Sequence, residues 1–187
     1  MDFNAYLREG QEARSKISHN EVSKLAEKIL HSLLNGGKLL VFGNGGSAAD
    51  SQHFAAELSG RFMRERKPLA AVALSTNTSS LTAIGNDYSF EDIFDRQVRS
   101  LATKNDVVVG ISTSGNSPNV LRAIESANSI GCYTYGLTGH KGGKLAERAA
   151  GSFRAESDLT PIIQETHIAF IHLVCWSIDD LLEKTEK

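Results

Sequence analysis

His53 and Glu57 stand four residues apart, a spacing that puts both on one face of a helix, one turn above the other. An imidazole and a carboxylate held in that way can share a metal ion, move protons, or do both. On spacing alone a solvated helical pair explains them as well. Position favours chemistry, because GNGGSAADSQHFAAE, residues 43–57, runs from a glycine loop straight into the helix that carries them. A second loop, Ser112-Thr113-Ser114-Gly115-Asn116-Ser117, offers four hydroxyls in six residues at a helix start. Helix N-termini carry partial positive charge and free N–H groups, so this is a natural anion site. Hydroxyls without Lys or Arg suit a small phosphomonoester held by hydrogen bonds. One serine would serve as a helix cap; four exceed that need.

A third group lies near the C-terminus: Gln164, Glu165, His167 and His172. Gln164 and His172 are eight residues apart, roughly 12 Å along a helix axis. His172 sits among Ile168, Phe170, Ile171, Leu173 and Val174. On its own it reads as a core histidine satisfied by a carbonyl.

The first loop also fits G-x-G-x-x-A through Gly43, Gly45 and Ala48. A dinucleotide site would need an acidic residue at the end of the second strand. Glu65 has the distance but precedes that strand, which ends in Ser75-Thr76-Asn77, so the dinucleotide reading is set aside. No G-x-x-x-x-G-K-[ST] is present.

The elements that must position these residues follow from periodicity. Helical spacing covers residues 3–17 and 20–35, and Asn35-Gly36-Gly37 stops the second helix. Residues 38–43 read as a buried strand, 47–58 as a helix, and 69–75 as a second buried strand begun by Pro68. A short helix over 79–84 is broken by Gly85-Asn86-Asp87, and a helix spans 90–101 with Ile93, Phe94 and Val98 on one stripe. Strands at 106–112 and 132–139 flank a helix over 117–130. A short helix at 145–150, an edge strand at 152–154 and a long helix over 161–183 complete the chain. Alternating helices and near-continuous apolar strands predict an α/β fold, a parallel sheet covered on both faces in a three-layer αβα sandwich. In such a sheet ligands bind beyond the carboxyl ends of the strands, where both loops fall.

The 187 residues suit a single domain over 1–187, and a net charge of -2 gives no strong field for nucleic acid or an anionic membrane. Cys132 and Cys175 lie in apolar runs without C-x-x-C spacing, which reads as buried, reduced thiols. No secretory signal and no run long enough to span a bilayer are evident, so a cytoplasmic location without membrane or nucleic-acid partners is expected.

Five spaced motifs, GNGGSAADSQHFAAELSGR, AIGND, GISTSGNSPNV, LTGHKGGKLA and QETHIAFIH, together resemble the bacterial phosphoheptose isomerases of the sugar-isomerase (SIS) fold. The resemblance runs from the N-terminal helix to the last one. It implies a flavodoxin-like five-stranded parallel sheet with extra N-terminal helices, and a homotetramer. It also implies interconversion of sedoheptulose 7-phosphate and D-glycero-D-manno-heptose 7-phosphate through an enediol, opening a route to surface polysaccharide. One zinc ion per subunit is implied, with ligands at His53, Glu57, Gln164 and His172. Glu57 and His172 match the acid-base pair. Substrate contacts map to Asn44, Gly45, Gly46, Ser47, His53, Glu57, Asn86, Asp87, Ser112, Thr113, Ser114, Ser117 and Gln164. Gln164 and His172 are too far apart on one straight helix to reach one ion easily, so either the helix is bent, or one residue comes from a neighbouring subunit, or one is not a full ligand; because the resemblance implies a tetramer, a site at a subunit interface is expected. Two departures stand out: Ile162 replaces an arginine common before Ile-Gln-Glu, and Ala56 replaces a common acidic residue. The same fold resembles a tetrameric protein that binds the DNA replication initiator. That relative typically lacks the histidine at position 172 and carries arginine where Ser114 stands.

Overall fold

A computed structural model of the chain describes residues 2–186. Helices α1 (Phe3–Ser15) and α2 (His19–Leu34) precede the sheet. There follow β1 (Leu39–Gly43), α3 (Gly46–Ser59), β2 (Ala71–Ala73), α4 (Thr78–Asp87) and α5 (Asp95–Leu101). The second half comprises β3 (Val107–Ser112), α6 (Pro118–Ile130), β4 (Tyr133–Gly139), α7 (Gly143–Arg148), β5 (Gly151–Ala155) and α8 (Thr160–Glu186). The strands form one sheet in the order β2-β1-β3-β4-β5, and every pair is parallel.

Alternate residues of the central strands feed two cores. Leu39, Val41, Val107, Val109 and Ile111 join α2, α3 and α8 through residues such as Leu25, Phe54 and Phe170. Leu40, Phe42 and Val108 face the other way, onto Phe94, Val98, Val120 and Ile124 of the α5–α6 side. Burial on both faces is why these strands read as unbroken apolar runs. Strand order reverses between β1 and β3, and the loops after these two strands open beside each other at the carboxyl edge.

Three expected elements differ. The apolar run 69–75 contains a strand of only three residues at the sheet edge, with Val72 40% exposed. The backbone N–H of Leu69 is taken by the carbonyl of Leu58 on α3, and the chain turns after Ala73. Gly85-Asn86-Asp87 does not break α4 but forms its last turn; the break comes at Tyr88, before Ser89 caps the next turn. Residues 90–101 divide into a 3-10 turn at Phe90–Asp92 and α5, while Ile93, Phe94 and Val98 are buried as expected. Both cysteines are free and buried. No helix among the described residues is long and apolar enough to cross a membrane.

Candidate active site

The glycine loop after β1 is shaped by close packing. Gly43 lies so near Ser47 and the Ile111 carbonyl that a Cβ would meet them at 2.7 and 2.8 Å. Gly45, at φ +56°, is the N-cap of α3 and brings no side chain to it; the N–H groups of Ser47 and Ala48 turn back onto the carbonyls of Asn44 and Gly45, 3.0 Å each. Ser47 is buried beneath the loop rather than displayed on it.

In the loop after β3, Ser117 is the N-cap of α6, yet its side chain makes no capping bond. Its hydroxyl instead meets that of Ser112 at 2.9 Å, and Ser112 lies 3.4 Å from Ser114. The hydroxyls are thus gathered with one another around the helix start, as an anion site requires. Gly115, at φ +66°, packs directly on the Gly142 carbonyl and donates no side chain. Thr113, Ser114 and Asn116 open onto a polar cleft of about 330 Å³ shared with His140 and Lys141.

The two loops are joined. The Asn44 and Asn119 side-chain amides exchange hydrogen bonds, 2.9 Å each way. Asn119 is 2% exposed. Sequence reasoning missed it; an asparagine just inside a helix, next to a hydroxyl loop, was the available signal.

On α3, His53 Nε2 lies 2.8 Å from Glu57 Oε1. His172 of α8 brings its Nε2 to 3.2 Å from His53 Nε2, with the rings edge to face at 5.0 Å. One ligand atom from each of His53, Glu57 and His172 lies within 4.8 Å of the others. Bonds of about 2.0–2.2 Å in a tetrahedral site separate ligand atoms by roughly 3.3 Å, so two imidazoles and a carboxylate at these spacings fit a divalent metal. Burial lowers the His172 pKa, the neighbouring His53 lowers it further, and Glu57 opposes both. Phe62 stacks on the His172 ring, the centroids 5.7 Å apart.

Gln164 is not with them. A Cβ on Gly46 would collide with its amide, so Gln164 lies against the start of α3. Helices α3 and α8 therefore run side by side in one direction, with Gly46 beside Gln164 at one end and His53 beside His172 at the other. Three of the four expected ligands meet within one chain, and the fourth stays near the loops. Asn86 and Asp87 are exposed at the end of α4, the amide donating to the carboxylate at 2.8 Å.

Asp50, three residues before His53, was also missed. Its Oδ2 is buried without a hydrogen-bond partner among the described residues. Burial raises its pKa to about 6, opposed by His53.

A SIS-domain profile matches residues 2–139. A Thermoplasma acidophilum protein named probable phosphoheptose isomerase is 57% identical over 96% of this chain and 99% of its own. The phosphoheptose isomerase of Helicobacter hepaticus is 53% identical over 93% of this chain and 88% of its own. The structure of a phosphoheptose isomerase from Neisseria gonorrhoeae superposes with a TM-score of 0.86 at 48% identity, covering 95% of each chain. One from Francisella tularensis gives 0.90 at 36% identity, over 95% of this chain and 96% of that one.

Proposed function

The chain belongs to the phosphoheptose isomerases of the SIS-domain family, and on that premise we propose that it interconverts sedoheptulose 7-phosphate and D-glycero-D-manno-heptose 7-phosphate. The observation that carries this reading is the meeting of His53, Glu57 and His172 beside two joined loops suited to a phosphate. The relatives named above are isomerases, and none supports the alternative of a replication-initiator partner.

In this reading Ser112, Thr113, Ser114 and Ser117 hold the phosphate, and the N-terminal end of the α6 dipole adds its partial positive charge. Anchoring that end fixes the carbonyl end beside the triad. Asn44, Gly45, Gly46, Gln164, Asn86 and Asp87 are assigned to the sugar. Glu57 and His172 divide the proton transfers: one proton leaves the carbon beside the carbonyl, an enediol forms, and a proton returns to the former carbonyl carbon as the hydroxyl proton moves between oxygens. Burial and the neighbouring His53 favour the neutral imidazole of His172, the form that accepts a proton. His53, Glu57 and His172 would hold zinc, which when bound supplies a Lewis acid for the substrate oxygens.

A homotetramer with sites at subunit interfaces fits the surface. Phe3 is 90% exposed and Trp176 52% exposed, and an apolar groove between α2 and α8 is lined by Ile17, Val22, Leu173 and Trp176. Gln164 could join a zinc site only across such an interface. We further place the chain, as one domain, in the cytoplasm, at the first step of heptose supply for a surface polysaccharide.

The test is turnover of sedoheptulose 7-phosphate by the wild type, Glu57→Gln and His172→Gln, with and without added zinc. Loss of about 10²-fold or more in both variants supports the acid-base pair. A folded, zinc-loaded wild type without turnover overturns the reading.

A further inference from the structure

The triad depends on two helices separated by 100 residues of chain, and a shift of either would separate His172 from His53 and Glu57. One buried side chain spans both helices close to that point. Arg66 lies in the segment that follows α3. Its Nη2 donates to the carbonyl of Glu57 itself at 2.7 Å, and its Nη1 to the carbonyl of Leu58 at 2.8 Å. Its Nε donates to Asp179 Oδ1 at 2.8 Å. Asp179 stands on α8 two turns beyond His172, and its Oδ2 accepts the backbone N–H of Met63 at 3.2 Å. The two side chains are 6% and 2% exposed.

We propose that Arg66 and Asp179 are positioning residues for this reaction, fixing the register of α3 on α8 so that His53, Glu57 and His172 converge. The proposal rests on the isomerase reading above. The last carbonyls of α3 have no partner within the helix, and a cation belongs at that end. A planar guanidinium can serve two carbonyls and a carboxylate at once; an ammonium cannot hold that fork. Burying an ion pair costs desolvation, and apolar residues of similar volume often stabilise a fold as well. Stability alone is therefore a weak reason for this pair, whereas a fixed geometry at the Glu57 backbone is a direct one. The same segment also sets Phe62 on the His172 ring, so it braces both sides of the triad.

The experiment compares full-length wild type with Arg66→Lys, Asp179→Asn and the double variant Arg66→Met/Asp179→Leu. Zinc affinity is read by competition with a chromogenic chelator, kcat and KM are separated, and thermal midpoints are recorded. The double variant replaces the pair with apolar volume, so it should fold even where a single variant, left with one unpaired buried charge, does not. Expected is a loss of zinc affinity and of kcat of about 10–100-fold in the folded variants, the range for partners of metal ligands. KM for the phosphosugar should stay within about threefold, because the phosphate loops do not touch the pair. Arg66→Lys should not restore either quantity. A folded double variant with wild-type zinc affinity and kcat overturns the proposal. The two arms separate its failure from that of the isomerase reading: if the wild type lacks turnover, zinc affinity decides; if it turns over without zinc, kcat decides.

Discussion

His53 Nε2 and His172 Nε2 face each other at 3.2 Å, although 119 residues separate them in the sequence. Two imidazole nitrogens directed at one another, with Glu57 Oε1 2.8 Å from the first, form a donor set that one cation can satisfy together. His53→Ala should therefore weaken zinc binding by at least about 100-fold, beyond the loss expected from an outer partner. Competition with a chelator checks this without reference to turnover.

Ser117 offers a separate handle. Because its hydroxyl does not cap α6, Ser117→Ala removes no cap, and the thermal midpoint should fall little. Its bond to Ser112 is lost, and with it one arm of the proposed phosphate site. A rise in KM of about 10-fold, with weaker inhibition by inorganic phosphate, is expected for a lost hydrogen bond to a charged group. An unchanged KM would remove Ser117 from the site.

Gly46→Ala sets two effects against each other. Alanine favours a helix over glycine by about 1 kcal/mol. Here the added Cβ meets the Gln164 amide, and that collision should dominate, lowering both stability and kcat/KM. Adding Gln164→Ala should restore the midpoint but not the activity. If the double variant regains activity, Gln164 is only a packing neighbour.

His167 predicts a pH dependence. It is fully buried, donates its Nε2–H to the Thr138 carbonyl at 2.9 Å, and burial lowers its pKa to about 4 from 6.5. Since the unfolded chain binds the proton more readily, stability is intact above pH 6.5 and declines as pH falls toward 4. The slope should be at most about 1.4 kcal/mol per pH unit. His167→Gln should flatten that part of the profile, as measured by urea unfolding from pH 7 to 4.5.

The two histidines of α8 show what the sequence could reveal. An apolar neighbourhood suggested a core histidine at 172, but His167 is the one that meets a carbonyl inside the core. His167 follows the polar Gln164-Glu165-Thr166 while His172 sits in an apolar run, so local sequence points the wrong way and only the rotation of α8 against the sheet distinguishes them. Parallel strands, the two loops and the His53–Glu57 pair were legible because each is a local pattern. The Asn44–Asn119 exchange, the orphaned Asp50 oxygen and the Arg66–Asp179 pair were not, because each depends on how separate elements dock. β2 was misjudged in length because apolar content does not report where a ladder ends.

The parallel course of α3 and α8 has one more effect. Gly46 with Gln164, and His53 with His172, mark two stations on a pair of rigid rods, about 10 Å apart along α3. Inserting one residue between the stations would swing His53 about 100° around the rod and away from its partner. Only whole turns, near 5.4 Å each, would lengthen the gap and keep the facing geometry. The span between the loop end and the triad can thus change in steps, not continuously, and a descendant suited to a slightly longer sugar would have to find its room elsewhere, in side chains rather than in the spacing of the helices.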